Sequence, residues 1–330
     1  MLPEVERMLR GKRGTCGRDA IFCGQSSAQI APRVLVVPSG LLAVALSFHK
    51  YEGLGNDFIL VEADRDDAIS APLARALCDR RLGVGADGVL LLVPPVSRGA
   101  QARMRVVNAD GSIPEMCGNG LRCAVLHVAR TRRQQAGELT FDTDAGAHPC
   151  VIDDADGRGL VTVDMGLVRV TGEVCLHVAP SSGGADPSRE AGDEWELVLA
   201  DAGNPHAITT RHATRDVIDR VGPRLATHAY FPAGTNVEFA SFAKGTIELV
   251  VWERGVGVTQ ACGTGACATV AVGVAKGLVA KGEEIQVKLP GGVLAVTVTQ
   301  DGRAIMRGPA RHVFSGHVFS GQVLAGEESP

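Results

Sequence analysis

The chain has 330 residues, 45% of them hydrophobic, which is enough for a sizeable buried core and suits two moderate domains better than one. A formal net charge of -4, with no long run of Lys or Arg, excludes an electrostatic grip on nucleic acid. Nine irregularly spaced cysteines do not make a disulfide scaffold, and with 41 glycines they describe a turn-rich chain of a reducing, cytoplasmic compartment.

Residues 1–46 show no sustained period of 2 or 3.6 and are expected to be a poorly ordered extension. The apolar run Val34 to Leu46 is too short to span a bilayer and is broken by Pro38 and Gly40. Arg33 and Ala43-Val44-Ala45 imitate a secretory signal, but the stretch ahead of the apolar core is longer than such signals carry. No membrane association is expected.

From Phe48 the texture changes to short Val/Ile/Leu runs bounded by turn residues. Strands are expected at Phe58 to Val61, Gly88 to Val93, Leu160 to Val163, Glu196 to Leu199, Thr235 to Phe239, Ile247 to Trp252, Ile285 to Leu289 and Leu294 to Val298. Leu73 to Arg81 reads as a helix, so Gly83-Val-Gly85-Ala-Asp-Gly88 joins helix to strand. That is the reverse of a dinucleotide-binding turn.

Two further helices, Leu121 to Val128 and Ala266 to Val279, are small or apolar on every side and should be buried. Each is preceded by the same kind of start, Cys117-Gly-Asn-Gly and Cys262-Gly-Thr-Gly. The repetition points to a duplicated α+β unit with two pseudo-symmetric domains, each a strand-rich, barrel-like sheet around a central buried helix. The expected limits are 47–164 and 165–307, with a C-terminal strand and tail at 308–330 that is able to return to the first domain.

A cysteine at a helix start sits beside unpaired N–H groups and the positive end of the helix dipole, which should stabilise its thiolate. The glycines let the same N–H groups approach a substrate carboxylate. Two such thiols facing one carbon can remove a proton from one side and supply one to the other, so the expected outcome is inversion. Cys123 and Cys267 fall about 240° and 140° further round their helices and are expected to be packing residues. Neither cysteine has a Cys-x-x-Cys or His companion, and no lysine has a phosphate-cradling neighbour, so neither metal nor cofactor is expected.

Six segments carry a resemblance: Gly53-Leu-Gly-Asn-Asp-Phe58, Asn108-Ala-Asp-Gly111, Met116-Cys-Gly-Asn-Gly120, Gly203-Asn-Pro-His206, Thr235-Asn-Val-Glu-Phe239, and Glu253-Arg-Gly-Val-Gly257 running on to Ala261-Cys-Gly-Thr-Gly-Ala266. In order and spacing they resemble diaminopimelate epimerase over roughly residues 48–320. The resemblance implies an active site between two domains that interconverts LL- and meso-diaminopimelate, in lysine and peptidoglycan-precursor synthesis. It makes Cys117 and Cys262 the acid/base pair. Gly118, Asn119, Gly263 and Thr264 then hold the carboxylate at the reacting carbon.

Asn56, Asn108, Asn204, Asn236, Glu253 and Arg254 match substrate-contacting positions, and His206 lies where it could influence thiol protonation. Some members carry a glutamine where this chain has Gly88. The rival reading is a proline or hydroxyproline racemase of the same fold, although Arg254 and the asparagines favour a substrate with a second charged end. A homodimer is left open.

Overall fold

The computed structural model describes residues 34–36, 42–155, 159–178 and 193–319. The strands are β1 (Val34–Val36), β2 (Leu42–Gly53), β3 (Asn56–Glu62), β4 (Gly88–Val93), β5 (Ala102–Asn108), β6 (Gly137–Thr143), β7 (Gly146–Asp154), β8 (Leu160–Leu167) and β9 (Arg169–Val178). They continue as β10 (Asp193–Asp201), β11 (Pro205–Thr209), β12 (Asn236–Ala243), β13 (Thr246–Glu253), β14 (Gly257–Val258), β15 (Glu284–Leu289), β16 (Gly292–Val298), β17 (Arg303–Pro309) and β18 (Arg311–Phe319). The helices are α1 (Ala71–Cys78), α2 (Gly118–Thr131), α3 (Arg215–Ala226) and α4 (Gly263–Ala275). Each expected strand lies on or overlaps one of these, and the three expected helices correspond to α1, α2 and α4.

The pairings form one ribbon that divides into two equal ladders. The first runs β18, β2, β3, β4, β5, β6, β7, β8, and its successive pairings are antiparallel twice, parallel, antiparallel, parallel, then antiparallel twice. The second runs β9, β10, β11, β12, β13, β15, β16, β17 with the same series. The ladders join edge to edge where β8 pairs with β17. In each ladder an outer helix (α1 or α3) precedes the strand that opens the first parallel pair's second half, and a central helix (α2 or α4) makes the second parallel crossover. The chain therefore folds as two α+β domains of like topology.

Alternation along the strands explains the layering. In the fully buried β4, Leu90 and Leu92 face the core around α2, while Val89, Leu91 and Val93 face a second cluster with Ala74 and Leu77 of α1. The second domain repeats this: Val198 and Ala200 of β10 face the central core, whereas Trp195 and Leu197 meet Ile218, Val221 and Leu225 of α3. Cys123 and Cys267 are fully buried in the central core, as expected of packing residues.

Two sequence expectations need adjustment. Leu42 to Leu46, assigned to the extension, open the long β2, because β1 and β18 supply partners for them. Residues 1–33 and 37–41 lie outside the described residues. The limit at 164/165 falls inside β8, whose pairing with β17 continues to Leu167. The segment Gly83 to Gly88 is a turn into β4, as expected. A Cβ at Gly83 would lie 2.1 Å from the Ala76 carbonyl oxygen, so close backbone approach, not phosphate binding, explains that glycine.

Candidate active site

The two helix starts meet where the domains meet. Cys117 is the N-cap of α2 and Cys262 the N-cap of α4, both extended in backbone, and each sulfur accepts a 3.4 Å hydrogen bond from an N–H of its helix's first turn: Gly120 for Cys117, Gly265 for Cys262. Cysteine thus takes the place of the usual Ser or Asp cap. A Cβ on Gly263 would lie 3.6 Å from the Cα of Gly118, so the first turns are packed against each other and any side chain there would intrude. Met306 and Met165 fill the space beside these two glycines.

Asn119 and Arg122 tie the junction together. The Asn119 amide donates to the Ala261 carbonyl at 2.9 Å and to Asn56 Oδ1 at 3.2 Å, and it accepts from Arg122 Nη2 at 3.0 Å. Arg122 is fully buried and also donates to the Pro309 carbonyl at 3.1 Å. Asn119 is itself almost fully buried, so its side chain links the two helix starts.

Two cavities open on this junction. One, of about 690 Å³, is lined by Asn56, Asn108, Cys117 and Glu253. The other, of about 590 Å³, is lined by Asn204, Arg254 and Thr264. The consecutive residues Glu253 and Arg254 therefore face different cavities. Asn56 is held by Asp87 at 2.6 Å, and Asp87 is in turn paired with Arg80 at 2.7 Å. Asn108 donates to Ser112 Oγ at 2.9 Å.

Arg254 donates one guanidinium nitrogen to the Ala233 carbonyl, and its backbone N–H goes to Asn236 Oδ1, both at 3.0 Å. Asn236 spends its amide N–H on the Pro205 carbonyl. It is nearly buried and fixes the loop beneath Arg254. A Cβ at Gly88 would sit 3.0 Å from the Val107 carbonyl, so a longer residue there would need β5 to give way.

Behind Cys262 lies a buried pair of which the sequence singled out one member, His206, and not the other, Glu238. His206 Nδ1 and Glu238 Oε1 are 2.6 Å apart with both side chains at 0% exposure, and His206 Nε2 meets Asn204 Oδ1 at 2.8 Å. Glu238 Oε2 has no hydrogen-bond partner among the described residues, and a Cβ on Gly265 would lie 2.8 Å from Oε1. The missed residues are thus Glu238, Arg122 and Asp87. Glu238 stood inside a quoted motif, on a strand whose neighbours are apolar, and a carboxylate there was the available signal.

The electrostatics reverse one expectation. Helix-start N–H groups do reach both sulfurs, but neither thiolate is favoured. Cys117 keeps some exposure as a residue, yet burial of its thiol pushes it up to about 11, with the Glu253 carboxylate adding to the effect and the Gly120 N–H opposing it. Burial and then the carboxylates of Glu253 and Glu238 push Cys262 well above the ordinary thiol range, against hydrogen bonds from Thr264 and Gly265. Desolvation outweighs both the helix-start N–H groups and the buried Arg122 guanidinium, which acts on Cys117 in the opposite sense. Burial likewise raises Glu253, which hydrogen-bonds to Thr259 at 2.5 Å and to Cys262.

The sequence was compared with known proteins. The family model for diaminopimelate epimerase matches residues 48–171 and 198–313. A diaminopimelate epimerase of Desulforudis audaxviator is 43% identical over 278 residues, covering 82% of this chain and 98% of the relative. A chloroplastic diaminopimelate epimerase of Oryza sativa subsp. japonica is 40% identical over 289 residues, covering 82% and 80%. Among solved structures, a hydroxyproline epimerase from Agrobacterium vitis superposes with a TM-score of 0.61 at 18% identity, covering 84% of this chain and 93% of that one. A phenazine biosynthesis protein of the PhzF family from Bacillus anthracis gives 0.61 at 16% identity, covering 83% and 99%. The distant structures share the fold, while the family model and the sequence relatives carry the assignment further: the chain belongs to the diaminopimelate epimerase family.

Proposed function

We propose that the protein interconverts LL- and meso-diaminopimelate by two-base proton transfer between Cys117 and Cys262, serving lysine and peptidoglycan-precursor synthesis. The observation that carries this is the pair of cysteine-capped helix starts packed against each other between two like domains. The names of the relatives point to the same substrate.

The substrate's reacting carboxylate is held by the N–H groups of the two first turns, at Gly118, Asn119, Gly263 and Thr264, where two helix dipoles converge. Asn56, Asn108, Asn204, Glu253 and Arg254, which line the two cavities, recognise the rest of the amino acid, and Asn236 supports this set by holding the Arg254 backbone. One cysteine, as thiolate, takes the α-proton, and the C–H electron pair stays on the carbon, stabilised by the bound carboxylate. The other cysteine, as thiol, gives its proton to the opposite face. The enzyme ends with the two sulfurs' protonation states exchanged, and no atom is gained or lost.

Burial opposes either thiolate before substrate binds, so one thiol gives its proton to solvent as the complex forms, and the substrate's α-ammonium joins the Arg122 guanidinium in stabilising the charge left on sulfur. His206, paired with Glu238, is a proton-modulating neighbour on the Cys262 side. On this reading 47–167 with β18 forms one domain and the second begins at Val168, after β8.

The test is incubation with LL-diaminopimelate or with proline in deuterated water, following α-deuterium incorporation. Exchange and inversion of diaminopimelate alone are expected. Exchange of proline without diaminopimelate would overturn the substrate assignment and favour the racemase of the same fold. The homodimer expectation is read by light scattering on the same preparation.

A further inference from the structure

Away from the helix starts, on the face of β2 and β3 that packs on α2, His49 of β2, Glu62 at the end of β3 and His127 of α2 come together. One ligand atom of each lies within 4.8 Å of the others. The rings of His49 and His127 are 4.7 Å apart, tilted by 48°. Both imidazoles are held from behind: His49 Nδ1 meets Ser315 Oγ at 2.7 Å, and His127 Nδ1 meets Tyr51 Oη at 3.1 Å. His127 Nε2 faces Glu62 Oε1 at 2.8 Å. A ring nitrogen fixed by an outer hydrogen bond while the other faces a common point is how metal-bound histidines are oriented.

We propose that His49, Glu62 and His127 form a binding site for a divalent transition-metal ion, with zinc the best match to two imidazoles and one carboxylate. The ion enters between His127 Nε2 and Glu62 Oε1 and replaces the hydrogen of that bond. At Zn–N and Zn–O distances of about 2.0–2.1 Å, the N···O separation opens to roughly 3.3 Å in tetrahedral geometry. The displaced hydrogen moves to Nδ1, where Tyr51 Oη turns to accept it, and Nε2 is freed for the ion. His49 ligates through Nε2, because Ser315 occupies Nδ1.

Opposing charges are few but real: Arg130 acts on Tyr51 and His312, and the His312 ring lies 6.2 Å from that of His49. The ligands join β2, β3 and α2, and Ser315 adds β18. An ion there clamps the helix capped by Cys117 to the strand pair that closes the first domain.

The test uses the full-length protein, stripped with chelator and titrated with cobalt(II). One equivalent is expected to give the intense visible bands of a low-coordinate cobalt site with no thiolate-to-cobalt charge-transfer band. Zinc should displace it and raise the midpoint of thermal unfolding. His49→Ala and Glu62→Gln should each abolish the bands and the zinc-dependent rise while keeping epimerase turnover, since neither lies near the thiols. The proposal is overturned if the cobalt spectrum stays that of the free aqua ion, or if it survives both substitutions. It is equally overturned if the spectrum carries a thiolate band that vanishes in Cys117→Ala or Cys262→Ala, which would place the ion on the cysteines.

Discussion

Cys117 and Cys262 each combine an N-cap, a first-turn N–H on sulfur and a buried setting. Removing either sulfur leaves one proton-transfer group for two faces, so Cys117→Ala and Cys262→Ala should each reduce inversion by at least 10³-fold, at the level of a lost essential acid/base group. Washout of an α-proton from one stereoisomer, through the surviving thiol, should persist; inversion at more than a few per cent of normal in either variant would rule out the two-base reading. The raised thiols make a second prediction. With Cys117 pushed up to about 11, alkylation by iodoacetamide in the substrate-free enzyme should keep accelerating through pH 9 and 10. A plateau near neutral pH would mean that the helix dipole wins after all. The sign for stability follows from the same shift. The fold prefers the protonated thiols, so their contribution is complete below the ordinary thiol range and is lost as pH rises toward 11. The residue types and the cap position were legible in the sequence, but the direction of the shift was not. It depends on how much protein surrounds each sulfur and on carboxylates such as Glu238 that arrive from another strand.

At the scale of elements, α2 and α4 were legible because a run of small and apolar residues on every side of a helix has only one place to go. The amphipathic α3 was not expected: its Arg and Asp residues mask the apolar stripe of Ile218, Val221 and Leu225 that packs on the second domain's outer face. Nor did the all-apolar rule prepare for Arg122, a fully buried guanidinium in the middle of α2. It satisfies the Pro309 carbonyl at the end of β17 and Asn119 Oδ1 beneath the helix start. Arg122→Leu leaves both acceptors buried without their donor and should cost on the order of 2–4 kcal/mol of stability. Denaturant unfolding reads this directly, and a loss under about 0.5 kcal/mol, the range of ordinary surface changes, would show that the network is not what couples α2 to β17. Gly265→Ala tests the other helix start. The new methyl would lie 2.8 Å from Glu238 Oε1 and 3.2 Å from Cys262 Sγ, and Glu238 is buried with no room to retreat. Turnover should fall at least tenfold in a protein that still folds, and unchanged turnover would separate Glu238 from the chemistry at Cys262.

Across the whole molecule the duplication was visible as two four-residue matches, and it extends to the hydrogen-bonding series of two ladders, each of which runs antiparallel, antiparallel, parallel, antiparallel, parallel, antiparallel, antiparallel. A period-2 pattern shows that a segment is a strand but not which distant strand it pairs with, so the ladder order was beyond the sequence. The asymmetry lies in where each ladder gets its first strand. The second domain takes β9 from just ahead of β10, whereas the first takes β18 from the far end of the chain, pairing Arg311 with Glu52 and Val318 with Leu46. The first domain therefore cannot complete its ladder until the last strand is made, and its closure spans the longest loop available, where the entropic cost of meeting is greatest. Ending the chain at Ala310 would leave the edge of β2 unpaired and uncover Phe48, which packs edge-on to Phe314. That truncation should destabilise α2 and the Cys117 side of the site more than the second domain, seen as loss of activity and earlier hydrogen exchange in β2 and β3 than in β12 and β13. Removing residues 1–33 instead should leave epimerase activity close to that of the full chain, since the family match begins at Phe48 and β2 keeps its β18 partner. Equal exchange in both domains of the Ala310 truncation would mean that β18 is an appendage, and the equivalence of β18 with β9 would then have to be abandoned.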